Sequence, residues 1–281
     1  MKLYVLLFCP RLHSYIIDVI IKLKMSKHSF ISKKGVFIMS NNCIEIKNIS
    51  KQYKKQKVLD NISFNVRKGE IFGLLGASGA GKTTLIRLIM GMEKSNSGMI
   101  YINNKKVPNY KTIESIGYTA QSDALYTDLS AEENIKFYCR LYKIPKRERK
   151  MTIERCLGIV NLDNEAKKIV SDFSGGMKRR LSLAISLIHN PKILVLDEPT
   201  VGMDPLLRKQ IWEELNRLKE SGVTIIITTH VMDEADYCDR LALIRNGRCI
   251  CVGDVEDLKK DNNCNSLEEI FLKLGGDTYE N

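Results

Sequence analysis

The chain has 281 residues, 44% of them apolar and 27% charged, with a formal net charge of +11. This composition excludes a disordered polyelectrolyte and supports one sizeable core, or one core with a lobe. Residues 1–38 carry seven Lys/Arg against a single acid, Asp18, so six of the eleven excess charges sit there; the mild basicity of the rest argues no more for nucleic acid than for a membrane surface or an acidic partner.

No apolar run near the start reaches the ~18 residues of a membrane-spanning helix. "LYVLLF" is broken by Pro10 and Arg11, and "SYIIDVII" by Asp18. A secretory signal would need a small-residue cleavage site, and none follows. Residues 1–38 are expected to be an N-terminal extension that either does not belong to the native protein, which would then start at Met39, or is disordered. A short basic amphipathic membrane anchor is the alternative. The eight cysteines are scattered; even Cys249 and Cys251 lack zinc or redox spacing. Such free thiols point to a reducing compartment and to small buried side chains.

From residue 43 the pattern alternates with period two in "CIEIKNI", "VLDNISFNV" and "IFGLL", which predicts strands. "SGMIYINNKKV" (97–107) predicts a hairpin turning at Asn103-Asn104. Helical periodicity dominates 123–188, in "SAEENIKFYCRLYKI" and "GGMKRRLSLAISLIHN", with Ser130 and Glu133 spaced as a capping box. Strand and helix signals then alternate: "KILVLDEP", "PLLRKQIWEELNRLKESG" ending near Gly222, "VTIIITTH", and a helical "VMDEADYCD". "RLALIRNGRCICVG" predicts a hairpin turning at Asn246-Gly247, and "SLEEIFLKLGG" a last short helix. Short all-apolar strands alternating with helices argue a parallel sheet covered on both faces, here bracketing a helical insert.

Two motifs carry chemistry. Gly76-x4-Gly81-Lys82-Thr83 follows the strand "EIFGLL" and opens the helix "TTLIRLIM", the context a phosphate loop requires. Its residues Gly76, Ala77, Ser78, Gly79, Ala80, Gly81, Lys82, Thr83 and Thr84 are expected to wrap phosphates with backbone N–H groups at a helix N-terminus. Lys82 would reach the β- and γ-phosphates, and the Thr83 hydroxyl a Mg²⁺ ion. The second motif, "ILVLDEPT" (193–200), delivers Asp197 to the carboxyl end of a buried strand, where ligands bind in open α/β sheets. Asp197 would hold Mg²⁺, directly or through water, and Glu198 would polarise an attacking water.

The order of these motifs resembles the nucleotide-binding domain of an ABC transporter, over residues 43–250. Tyr53 matches the aromatic that stacks on adenine, though it also suits a plain strand position. Gln121, in "YTAQSD", matches the glutamine that contacts Mg²⁺ and the membrane partner, though a surface amide would look the same. Asp204, in "VGMDP", matches the loop crossing to the opposite subunit; before Pro205 it also reads as a helix N-cap. His230, in "IIITTHVMDEAD", matches the histidine of the γ-phosphate, and alone would read as structural. "FSGGMKRR" resembles the family signature Leu-Ser-Gly-Gly-Gln. The resemblance implies that Ser174, Gly175 and Gly176 face ATP held by the opposing subunit, so that a head-to-tail dimer builds two composite sites. Phe173 replaces Leu and Met177 replaces Gln, the form similar to a drug-, antibiotic- and lipid-exporting branch.

The resemblance thus implies an α/β fold: a P-loop NTPase cassette with a RecA-like mixed-sheet core, an antiparallel β subdomain and an inserted α-helical subdomain at about 122–188. The cassette would occupy 39–255 and a short helical tail 256–281. The implied activity is ATP hydrolysis with Mg²⁺, using Glu198, His230 and Lys82. The implied partners are a second ATP-binding subunit and a separate transmembrane permease. No nucleic acid is expected, and the chain would sit at the cytoplasmic face of a membrane. A soluble ABC ATPase acting on ribosomes or DNA is the alternative.

Overall fold

The computed structural model describes residues 41–121 and 124–274. The expectations for residues 1–38 lie outside that range. Two sheets form. β1 (Asn42–Tyr53), β2 (Gln56–Arg67), β4 (Ser97–Ile102) and β5 (Lys105–Lys106) make an antiparallel sheet in the order β2-β1-β4-β5. β3 (Ile71–Leu75), β6 (Ile116–Thr119), β7 (Ile193–Asp197), β8 (Thr224–Thr229), β9 (Arg240–Arg245) and β10 (Arg248–Asp254) make the other, in the order β10-β9-β3-β8-β7-β6. All its neighbours run parallel except β10, which returns antiparallel along β9. Both hairpin turns fall where expected. Asn103 and Asn104 have φ 48 and 62, and Asn246 and Gly247 have φ 49 and 73, the left-handed pair that a two-residue hairpin needs.

The central strands are apolar on both sides because each side faces a separate core. Phe72, Leu74, Val195, Ile226 and Ile244 join the antiparallel sheet and helix α1 (Lys82–Ile89) in one cluster. Their alternates Ile71, Leu75, Leu196, Ile227 and Leu243 join most of the remaining helices in the other. The period-two alternation of a strand sorts side chains between the two layers.

After the one-turn α2 (Tyr110–Ile113) and β6, the helical insert follows. It comprises α3 (Ala131–Leu141), α4 (Arg149–Ile159) and α5 (Gly175–Ser186). The capping box forms: Ser130 Oγ accepts from Glu133 N at 3.3 Å, while Glu133 Oε2 accepts from Ser130 N at 2.9 Å. α6 (Pro205–Glu220) links β7 to β8, and α7 (Met232–Ala235) follows β8. The helix expected over "VMDEADYCD" is thus a single turn. α8 (Val255–Asp261) and α9 (Leu267–Lys273) close the chain. Their Val255, Leu258, Leu267 and Ile270 are buried in the same core as the parallel sheet. Residues 255–274 therefore pack into this core. No helix among the described residues is long and apolar enough to cross a membrane.

Candidate functional site

The site lies at the carboxyl ends of β3, β7 and β8, which are neighbours in the order β3-β8-β7. The loop leaving β3 turns on Gly76. A Cβ there would lie 2.2 Å from the carbonyl oxygen of Ile244, so only glycine lets the loop pass β9 this closely. At the other end Gly81, φ 105, lets the chain enter α1. Residues 76–84 thus turn tightly from the end of β3 into α1. Lys82, at 5% exposure, donates to the carbonyls of Gly76 at 2.7 Å and Ala77 at 3.0 Å. Burial lowers its pKa; the carboxylates of Glu198 and Asp197 oppose that shift.

Asp197 closes β7 at zero exposure. Its Oδ1 accepts from the Thr228 hydroxyl at 2.5 Å and the Thr83 hydroxyl at 3.5 Å. Its Oδ2 is buried with no hydrogen-bond partner among the described residues. A buried carboxylate oxygen left this way is costly unless something cationic or protic meets it. Asp197 beside the Thr83 hydroxyl is a hard-oxygen set that fits Mg²⁺. Among the described residues no group of three or more His, Cys, Asp or Glu could hold a metal.

Glu198 follows with φ 52, in the left-handed region that costs a non-glycine residue about 1–2 kcal/mol. Its backbone is held on both sides. Its N–H donates to the carbonyl of Thr228 at 3.2 Å and to the Thr228 hydroxyl at 2.9 Å, while its carbonyl accepts from Arg179. Its Oε1 lies 3.1 Å from His230 Nδ1 and 3.9 Å from Lys82 Nζ. Three of the expected residues therefore meet around one carboxylate.

Ser174 caps α5, its hydroxyl accepting from Met177 N at 3.3 Å. A Cβ built on Gly175 would meet nothing within 4 Å, and one on Gly176 only the Gly202 carbonyl at 3.6 Å. Nothing in this chain's own packing requires glycine at either position. Asp204 caps α6, accepting from Leu207 N at 3.0 Å with Pro205 following, so the N-cap reading is realised. These two helix starts line one cleft of about 530 Å³, with Gln121 and Glu198 also in its wall. The Gln121 carbonyl accepts from Arg179 at 3.1 Å. Tyr53 is half-exposed; its hydroxyl donates to Glu93 and the Lys51 ammonium lies 4.8 Å from its ring centroid.

Two charged residues central to this geometry escaped the sequence reading. Arg179, buried on α5, donates to the carbonyls of Ala120, Gln121, Asp197 and Glu198. Glu234, buried on α7, accepts from Thr200 Oγ1 at 2.6 Å and Thr229 Oγ1 at 2.9 Å, with Arg208 Nε at 3.4 Å. It joins the segment leading to Asp204 with the one carrying His230. Strong local signals, a basic amphipathic helix and an acidic turn, masked both.

A cradle of backbone groups and a buried lysine, with two carboxylates at the carboxyl end of β7, the next strand but one in the sheet, defines the class of P-loop nucleotide-binding proteins. Residues 59–201 match the family model described as ABC transporter. The chain is 40% identical over 240 residues to the linearmycin resistance ATP-binding protein LnrL of Bacillus subtilis, covering 84% of this chain and 73% of that one. It is 41% identical over 239 residues to ABC transporter G family member 23 of Dictyostelium discoideum, covering 83% of this chain but 34% of that longer protein. The chain thus spans about a third of that relative, and 41% of the multidrug ATP-binding protein YbhF of Escherichia coli. Among solved structures, the ATP-binding subunit of an ABC transporter superimposes with a TM-score of 0.76 at 28% identity, covering 83% of this chain and 99% of that one. A cassette solved as a dimer with ADP and Pi gives 0.70 at 27% identity, covering 75% and 98%. The chain belongs to the ABC transporter family, as an ATP-binding cassette.

Proposed function

We propose that the chain binds and hydrolyses ATP as one of a pair of cassettes that power a separate membrane permease. The observation that carries this is the Glu198 carboxylate, placed beside both His230 and Lys82 next to the half-satisfied Asp197. Glu198 orients a water and takes its proton. Lys82 exchanges its carbonyl partners for phosphate oxygens, His230 contacts the γ-phosphate, and Tyr53 stacks on adenine. Thr83, Asp197 and Gln121 would hold Mg²⁺, which when bound supplies charge neutralisation on the phosphates. Phosphoryl transfer of this kind depends on positioning and electrostatics more than on covalent chemistry.

Ser174, Gly175, Gly176 and Asp204 face the second subunit. The space open above the two glycines supports that role, because a γ-phosphate approaching the α5 N-terminus needs it. The permease docks on the helical insert. Tyr126, Phe137 and Leu141 are 47%, 38% and 47% exposed there, with the Tyr126 and Phe137 rings packed edge to face at 4.6 Å. This apolar patch suits a short amphipathic helix of a membrane subunit. Relatives named for linearmycin resistance, multidrug transport and Nod factor export support export of drugs, antibiotics or lipids. The chain would then be peripheral, on the cytoplasmic face of its membrane.

The test is a pull-down of tagged Glu198→Gln protein from solubilised host membranes with ATP and Mg²⁺. A multispanning partner in a two-to-two ratio, lost in Phe137→Asp, is the expected result. Recovery of ribosomes or DNA without a membrane protein would overturn the permease reading.

A further inference from the structure

The parallel ladder between β6 and β7 ends at the pair Thr119↔Leu196. Beyond it the carbonyls of Ala120 and Gln121 leave one strand, and those of Asp197 and Glu198 leave the other. Main-chain carbonyls leaving a ladder lose their strand partners and need new donors. Arg179 supplies them to all four. Its Nη1 donates to Ala120 and to Gln121, the latter at 3.1 Å. Its Nη2 donates to Asp197 and to Glu198, the latter at 2.7 Å, and its Nε also reaches Glu198 at 3.2 Å. The guanidinium is buried, and it stands on α5 five residues after Ser174, the N-cap of that helix.

We infer that Arg179 is a positioning residue that locks the left-handed backbone of Glu198, and with it the Gln121 segment, to the helix that opens at Ser174-Gly175-Gly176. Glu198 holds a strained conformation, and such a conformation persists only where its surroundings over-determine it. Here Thr228 holds its N–H and Arg179 holds its carbonyl. One planar fork therefore fixes the direction in which the Glu198 carboxylate emerges. A rigid-body shift of α5 moves Glu198 with it. On the two-subunit reading proposed above, a γ-phosphate arriving at the α5 N-terminus from the partner would adjust the carboxylate of this subunit's own site. The second hold on the Glu198 backbone, beside Thr228, is thus an arginine side chain bonded to main-chain carbonyls. Lysine cannot replace it, because its donors radiate from one nitrogen and do not span carbonyls from two strands.

The experiment compares wild-type full-length protein with R179K and R179Q, reading melting temperature, the Kd of a fluorescent ATP analogue, and kcat. The expected result is at least a tenfold fall in kcat with Kd within threefold of wild type. R179K is expected to recover melting temperature better than it recovers kcat. A kcat within twofold of wild type in both variants would overturn the inference. So would parallel loss of Kd and kcat, or melting of both variants below the assay temperature, since those results make Arg179 a core strut only. The two-subunit reading is scored apart, by ATP-dependent dimerisation of Glu198→Gln protein with Arg179 intact. Absence of that dimer would sink the pairing of subunits, while a kcat-selective loss in R179K would still establish Arg179 as the residue positioning Glu198.

Discussion

Glu198 Oε1 and His230 Nδ1 lie 3.1 Å apart although the two residues are 32 positions apart in the sequence. β7 and β8 are parallel neighbours in register Asp197↔Thr228, so each strand carries its functional residue just past its carboxyl end. His230→Ala removes the ring that meets this carboxylate and, on the function proposed above, the transferred phosphate. Its kcat is expected to fall about 10²–10³-fold, with ATP affinity within threefold. A steady-state ATPase assay beside an equilibrium nucleotide titration checks this; unchanged kcat would leave His230 a structural partner of Glu198.

Lys82 is a buried cation whose pKa is lowered by burial. Lys82→Met is expected to stabilise the nucleotide-free protein by about 1 kcal/mol, a rise of about 2–4 °C in Tm, and to abolish the rise in Tm that ATP gives the wild type. The sign with pH follows. Between the lowered folded pKa and the ordinary lysine value, the unfolded chain holds more protons at this group. Wild-type stability therefore gains relative to the variant across that alkaline window, and the Tm gap narrows as pH rises through it. Scanning fluorimetry with and without ATP reads both effects.

Gly175 separates the needs of the fold from those of catalysis. Its site is open to a methyl group, and alanine is the better helix former by roughly 0.5–1 kcal/mol. Gly175→Ala is expected to melt no lower than wild type while losing at least tenfold in kcat, because on the two-subunit reading the new Cβ projects toward the partner's ATP. Retained activity would argue against the composite site.

Glu234 links Thr200 to Thr229, and Thr229 Oγ1 also accepts from Val231 N at 3.0 Å, closing the turn that bears His230. Glu234→Ala strands two buried hydroxyls and is expected to cost about 3 kcal/mol, read by urea unfolding. Glu234→Gln keeps one acceptor. It is expected to retain most stability while lowering kcat more than ATP affinity.

The parts legible in the sequence were those in which one local pattern settles the outcome. A short apolar run ending in a polar residue reads as a buried parallel strand, as with the four apolar residues before Asp197 in β7 and the three isoleucines before the threonines of β8. A glycine loop between strand and helix is equally self-contained. β6 went unrecognised because it is four residues long with a glycine inside. The integration of α8 and α9 was hidden because their apolar residues find their partners on distant strands. Arg179 illustrates the deeper difficulty. Beside Lys178 and Arg180 it reads as one more charge on a basic helix, and its importance comes from carbonyls 18 to 59 positions away. Sequence patterns reveal apolar faces and special turns, but not which buried carbonyls need a donor.

The central claim is that Glu198 drives hydrolysis without being needed for nucleotide binding. Glu198→Gln keeps the size and the backbone bonds of the residue but cannot accept a proton. Measuring ATP affinity and turnover on the same preparation tests it most directly. The account predicts a Kd within threefold of wild type and a fall in turnover of about 10²–10⁴-fold. Turnover at the wild-type rate would contradict it and remove Glu198 from the chemistry.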